Sequence, residues 1–194
     1  MKEKVEWLGK ALEALRQYSL EEKVPHKNMG PQKIEVLLWL WENQSKLPSS
    51  AESVEALMKR SSTASSVSRS TVLSTIKALR SCGGLDKQAG VYALDKSVLK
   101  IDREKFAWLG KSLCSLVSYS KRKKSTYQIG AEKINFIYWL WENMENLPSS
   151  TRAMAYESGY SKDEGKTSTT VSSTLKGLMG KTVSKEDKRY ELMK

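Results

Sequence analysis

Between Gly30 and Asn43 the chain reads GPQKIEVLLWLWEN, and Ile34, Leu37, Leu38 and Trp41 recur at the three- and four-residue spacing of one helix face. Val36, Trp39 and Leu40 make the same helix apolar nearly all round, so it is expected at the centre of its domain. Pro31 opens it at a position where the missing N–H costs nothing. Upstream, Val5, Leu8, Leu12 and Leu15, with Trp7 beside them, predict a helix over 4–22. Downstream, LPSSAESVEALMKR predicts a helix over 51–60 behind Ser50 as N-cap, with Ser53 and not Glu at the position that would complete a capping box. Val72, Ile76 and Leu79 give the inward stripe of a fourth helix over 69–81, and the CGG that follows supplies the glycines of a helix stop. There the period drops to two. LDKQAGVYALD alternates about a turn at KQAG and predicts a small hairpin.

The whole pattern then recurs. WLGKALEALRQYS from Trp7 matches WLGKSLCSLVSYS from Trp108, and LWLWENQSKLPSS from Leu38 matches YWLWENMENLPSS from Tyr138. STVLSTIKAL from Ser70 matches TTVSSTLKGL from Thr169, and VYAL from Val91 matches RYEL from Arg189. TVSKEDKRYEL repeats the hairpin with its turn at KEDK. Two tandem domains are expected, over 1–99 and 100–194; two copies are too few for a solenoid. The fold class is mainly α with small β-hairpins (α+β).

Charge narrows the partner. The chain of 194 residues carries 33 Lys and Arg against 22 Asp and Glu, a formal +11, for which a polyanion is the natural counterpart, nucleic acid before anionic membrane. By copy the counts are 15 against 11 and 18 against 11, or +4 and +7, so the second domain is expected to hold polyanions more strongly. KRKK, Lys121 to Lys124, accounts for much of the difference; its counterpart is LEEK, and it reads equally as a solvated helix end. No apolar run approaches a membrane span. The amino terminus lacks the unbroken apolar core of a signal peptide, so the expected setting is intracellular, in cytoplasm and nucleoid or in a nucleus.

The order helix, helix, helix, hairpin in GPQKIEVLLWLWEN, LPSSAESVEALMKR, STVLSTIKAL and LDKQAGVYALD resembles the winged helix-turn-helix superfamily, across most of both copies. The opening helices EWLGKALEALRQYS and AWLGKSLCSLVSYS are additions to that plan. The resemblance implies two tandem winged-helix domains, each with an extra N-terminal helix. It further implies that the helix before each hairpin enters a DNA major groove while the hairpin approaches the backbone.

Helical geometry alone points the same way. With Val72, Ile76 and Leu79 inward, Ser70, Ser74, Lys77 and Ser81 face outward, with Arg69 and Thr71 at the amino end and Arg80 in the last turn. In the second copy Val171, Leu175 and Leu178 face inward, and Thr169, Ser173 and Lys176 outward, with Lys166 and Thr170 nearby. Hydroxyls and cations beside a helix amino terminus are groups that hold phosphate oxygens. No acid occurs in sequence between Glu55 and Asp86 or between Gly165 and Lys185. Lys87, Lys185, Lys188 and Arg189 are the hairpin candidates, readable also as soluble turn residues.

The expected function is double-stranded DNA binding by two recognition helices from one chain, an internal pseudo-dimer that needs no partner subunit although further self-association is open. Side chains suited to reading base edges are scarce on these faces, so specificity is expected to be modest, as for a transcription regulator or genome organiser. A replication or partition initiator shares the same argument. A protein-interaction scaffold is the rival, with the apolar girth of the WLWEN helix as its partner surface. Trp39, Trp41, Trp139 and Trp141 read as core rather than as stacking platforms for bases. The serine-rich stretch from Ser61 to Thr75 contains either a linker or, as Val72 indicates, a helix start.

An enzyme is not expected. DEGKTS at Asp163 lacks the first glycine and spacer of a phosphate loop, and the single His26 supports no catalytic set and no metal site. No cofactor and no small-molecule ligand is implied. Cys82 and Cys114 occupy non-equivalent places and are expected to be free thiols.

Overall fold

The structure, a computed structural model, describes residues 1–22, 30–60, 67–122, 129–186 and 189–193. His26, the polar stretch 61–66, Lys123 and Lys124 of the KRKK run, and Lys188 with the centre of the KEDK turn lie outside the described residues. The chain is mainly helical, of α+β class, with eight α-helices and two antiparallel two-stranded sheets among those residues. No described helix is long and apolar enough to cross a membrane. It divides into two compact units, Met1–Gly110 and Lys111–Lys194.

In the first unit α1 spans Lys2–Glu21, α2 Pro31–Glu42, α3 Ala51–Arg60 and α4 Arg69–Ser81. Strands β1 (Leu85–Gln88) and β2 (Val91–Leu94) pair in register Leu85↔Leu94 to Gln88↔Val91. Ala89 and Gly90 at the tip both have positive φ, 48° and 82°. That combination matches the right-handed twist of a two-residue hairpin. Helix α4 packs on α1, α2 and α3, so Val72, Ile76, Ala78 and Leu79 are fully or nearly fully buried.

Helix α1 buries a wider face than its leucine stripe predicts: Trp7, Leu8, Gly9, Ala11, Leu12, Ala14 and Leu15 are all inside. Its indole explains part of this. Trp7 Nε1 donates to the Gly84 carbonyl at 2.9 Å, satisfying a buried donor while holding the turn between α4 and β1. Gly84 can take that turn because it sits at φ +147°, next to Gly83 at +81°. At the far end of the hairpin Lys10 Nζ reaches Asp95 Oδ2 at 2.6 Å and the Ser97 carbonyl at 2.7 Å.

The expected joint at 99/100 differs from the unit boundary because the opening turns of α5 (Arg103–Arg122) pack on α1. Gly9 lies against the Phe106 backbone and Gly110 against the Val5 backbone, so closely that a Cβ at either would overlap a carbonyl oxygen. Glycine is required there for space and not for conformation. Lys105 and Glu13, 3.2 Å apart, flank the crossing.

In the second unit the rest of α5 is followed by α6 (Ala131–Glu142), α7 (Thr151–Glu157) and α8 (Thr169–Leu178). Strands β3 (Val183–Glu186) and β4 (Arg189–Leu192) pair from Val183↔Leu192 to Glu186↔Arg189. Leu113, Leu116, Ile134, Phe136, Ile137, Leu140, Met154, Val171, Leu175 and Leu178 form the core. Helix α8 is shorter than α4 because Met179 leaves the helix to bridge Val183, with Gly180 at φ +68° behind it.

The WLWEN helices bury residues on more than one side, but in the first unit α4 and not α2 packs on all the other helices up to the hairpin. Trp39 is 7% exposed, but Leu38, Trp41, Trp139 and Trp141 are half-buried. The Trp41 ring lies 5.8 Å from Trp7 and Trp139 stacks on Phe136 at 5.7 Å. Lys33 and Val36 are buried on α2, and Lys133 and Phe136 at the equivalent places in α6. Burial pushes both ammonium groups down, Lys133 to about 8.

Two outcomes follow. Gly9→Ala should lower stability by about 1–3 kcal/mol or more, because the obstacle is backbone and cannot move aside as a side chain would; urea unfolding measures it. For Lys133, the unfolded chain binds more protons than the folded one between pH 8 and 10.5, so its contribution makes stability rise with pH across that window. Lys133→Met should flatten that rise, seen in unfolding free energies at pH 7.5, 9 and 10.5.

Candidate nucleic-acid interface

The α4 face begins with its cap. Ser68 Oγ accepts from the Thr71 N–H at 3.2 Å, satisfying one of the orphan donors of the first turn. It also shares hydrogen bonds with the hydroxyls of Ser70 at 3.0 Å and Thr71 at 2.9 Å. Thr71 in turn donates to Gln32 Oε1 of α2 at 3.0 Å. Ser74 donates back to the Thr71 carbonyl at 3.1 Å and is half-buried. Of the residues predicted to face outward, Arg69, Ser70, Lys77, Arg80 and Ser81 are exposed, and Thr71 and Ser74 are partly withdrawn into local hydrogen bonds. Leu73, 38% exposed, lies on the same helix.

Folding also brings to this face what the acid-free window excluded along the chain. Arg69 Nη2 lies 3.3 Å from Glu52 Oε1 and its Nε 4.0 Å from Glu55 Oε2, both on α3. Lys77 Nζ lies 3.6 Å from Glu22 Oε1, and 5.4 Å from the centre of the Tyr18 ring. Tyr18 first, and then the Glu22 charge, holds the Lys77 ammonium above the usual lysine value. The Glu52 carboxyl is held below its ordinary value by its own backbone N–H first, then by Ser50 and Arg69. The acid-free window is therefore not an acid-free face: Glu22, directly after α1, and Glu52 and Glu55 of α3 border it. Sequence distance hid them, since Lys77 and Glu22 are 55 positions apart in the numbering.

The α8 face repeats the geometry with different neighbours. Thr169 and Lys176 are exposed, and Thr170 and Ser173 half-buried. Ser173 donates to the Thr170 carbonyl at 3.1 Å, as Ser74 does to Thr71. Thr170 donates to Glu132 Oε2 at 2.9 Å, where the first copy has Gln32. Lys166 is exposed and 3.3 Å from Asp163. Lys176 has no ion-pair partner among the described residues.

On the hairpins, Lys87 is exposed opposite Tyr92, and its N–H donates to Asp86 Oδ1 at 2.7 Å. Lys185 pairs with Tyr190 in register and sets its ammonium 4.6 Å from that ring. Arg189 is exposed opposite Glu186. Lys188 lies outside the described residues. Arg189 and Tyr190 also line an open cleft of about 690 Å³ with Met144 to Leu147.

Compared with known proteins, the chain matches no family model, no curated protein and no solved structure.

The Ser68 cap was not visible as such in the sequence, although a serine directly before an apolar-periodic helix is the usual signal. Ser68→Ala should cost about 0.5–2 kcal/mol. Equilibrium unfolding with the exposed Ser81→Ala as reference distinguishes loss of the cap from loss of a surface hydroxyl.

Proposed function

We propose that this chain binds double-stranded DNA through α4 and α8, with the hairpins β1–β2 and β3–β4 beside them as wings, on the plan of two tandem winged-helix domains. The observation that carries the reading is the repeated juxtaposition. In both units a helix with an exposed lysine and hydroxyl-rich first turn leads directly into a hairpin carrying exposed cations. A chain of +11 supplies the overall attraction. Phosphate contact is the chemistry these side chains offer: lysine as a point charge, serine and threonine as donors, helix amino ends as N–H donors.

Base-edge readers remain few, since Arg69 is engaged by Glu52 and Glu55. Modest specificity follows, which suits broad regulation or genome organisation, and equally an initiator that acts with other proteins. A second reading as a protein-interaction scaffold draws on exposed apolar side chains, Leu99 at 72% and Ile101 at 88%.

Fluorescence anisotropy on a labelled random-sequence duplex, at several salt concentrations, tests the proposal. Log affinity should fall linearly with log salt at a slope of about −4, for about four to five phosphates neutralised. The paired change Lys77→Glu with Lys176→Glu should abolish most of the binding. Absence of duplex binding at low salt would leave the scaffold reading in place.

A further inference from the structure

We infer that duplex affinity is concentrated in the second unit, on α7 and α8, while the equivalent α4 face of the first unit is masked by its own carboxylates. The inference rests on the DNA-binding reading and adds which face serves it and what restrains the other.

The two faces share a backbone plan and differ in their charges. On the first, Glu22 stands beside Lys77, and Glu52 and Glu55 beside Arg69. Laid over one another, the copies place Lys123 where Glu22 stands, Arg152 where Glu52 stands and Ala155 where Glu55 stands. Three negative charges in the first copy thus answer to two positive charges and a methyl in the second. Lys123 enters here by sequence only. Arg152 is exposed on α7 and Lys176 exposed on α8, each without an ion-pair partner among the described residues.

The second face is not free of acid. Glu132 accepts from Thr170 at 2.9 Å and Asp163 pairs with Lys166 at 3.3 Å. Both lie toward the amino end of α8. The central lysine is where the faces part: Lys77 carries Glu22 at 3.6 Å, and Lys176 carries no carboxylate among the described residues.

Stability does not account for the two more exposed of the first-unit pairs; Glu55, 14% exposed, also pairs with Lys59 of α3 at 2.6 Å. The side chains of Lys77 and Glu22 are 63% and 48% exposed, those of Arg69 and Glu52 61% and 54%, and pairs so exposed add little to stability because water screens them. Their larger effect is on an approaching polyanion. A phosphate reaching Lys77 or Arg69 must displace a carboxylate already there, so fewer counterions are released for each contact made. At Lys176 and Arg152 no carboxylate among the described residues has to be displaced.

The test uses the full chain and a fluorescein-labelled random-sequence duplex, with thermal melting by circular dichroism to establish that each variant is folded. Lys176→Gln should weaken binding about fivefold and reduce the salt slope by about 1, and Lys77→Gln should weaken it by a smaller factor, about twofold. Glu22→Gln with Glu52→Gln and Glu55→Gln should tighten binding about fivefold and steepen the slope. A charge-matched control, Glu3→Gln with Glu42→Gln and Glu145→Gln, should tighten it less than about twofold. Equal losses in Lys77→Gln and Lys176→Gln, or equal gains in the two glutamine triples, would overturn the asymmetry and leave DNA binding intact. No binding by the wild-type chain at low salt would instead remove the reading on which the asymmetry rests.

Discussion

The first unit depends on where α1 is held, and a single buried donor does much of the holding. Trp7 must place its indole N–H somewhere once the ring is fully inside, and the Gly84 carbonyl receives it. That bond ties the opening helix to the turn between α4 and β1. With one end fixed there, α1 runs along α4, and its last turns set Tyr18 and Glu22 over Lys77. Helix α1 is therefore part of the surface and not an appendage to it. Its apolar side builds the core and its polar end sets the charge state of the neighbouring helix.

Local order was legible because it is written locally. Helices α3 and α4 begin and end where the apolar period and the residues Ser50, Arg60, Arg69 and the CGG stop place them. The KQAG turn appears as Ala89 and Gly90 between paired strands. What sequence could not show is what folding brings together. Acid-free windows count neighbours along the chain, whereas Arg69 meets its acids across a break between helices and Lys77 meets Glu22 from another helix altogether. The outward hydroxyls were over-read for a related reason. A serine or threonine inside a helix can return its proton to a carbonyl three or four residues back, as Ser74, Thr75, Ser173 and Thr174 do. The burial of Lys33 and Lys133 escaped because a long stem can lie inside while the period marks the residue as polar.

Duplication makes the differences between the copies informative. Thr71 and Thr170, Ser74 and Ser173, and the helix-to-hairpin order are matched closely, which fixes the backbone as the shared part. Against that constant frame, Gln32 and Glu132, or Glu52 and Arg152, are changes of charge with the packing left alone. One architecture can thus present two surfaces of different potential, since exposed charges cost little to exchange and core residues a great deal.

The tip of the first hairpin sets a limit of another kind. A strand of four residues is an arm of about 13 Å, and its end is formed by Ala89 and Gly90, whose side chains offer no donor and no acceptor. The polar side chains of this arm therefore sit on its shaft, Gln88 in the pair that flanks the turn and Lys87 one pair further back. On the DNA-binding reading proposed above, such an arm is a ruler without a pointer: it can fix how far a bound surface lies from α4, and its two tip residues have no side chain with which to read what that surface says.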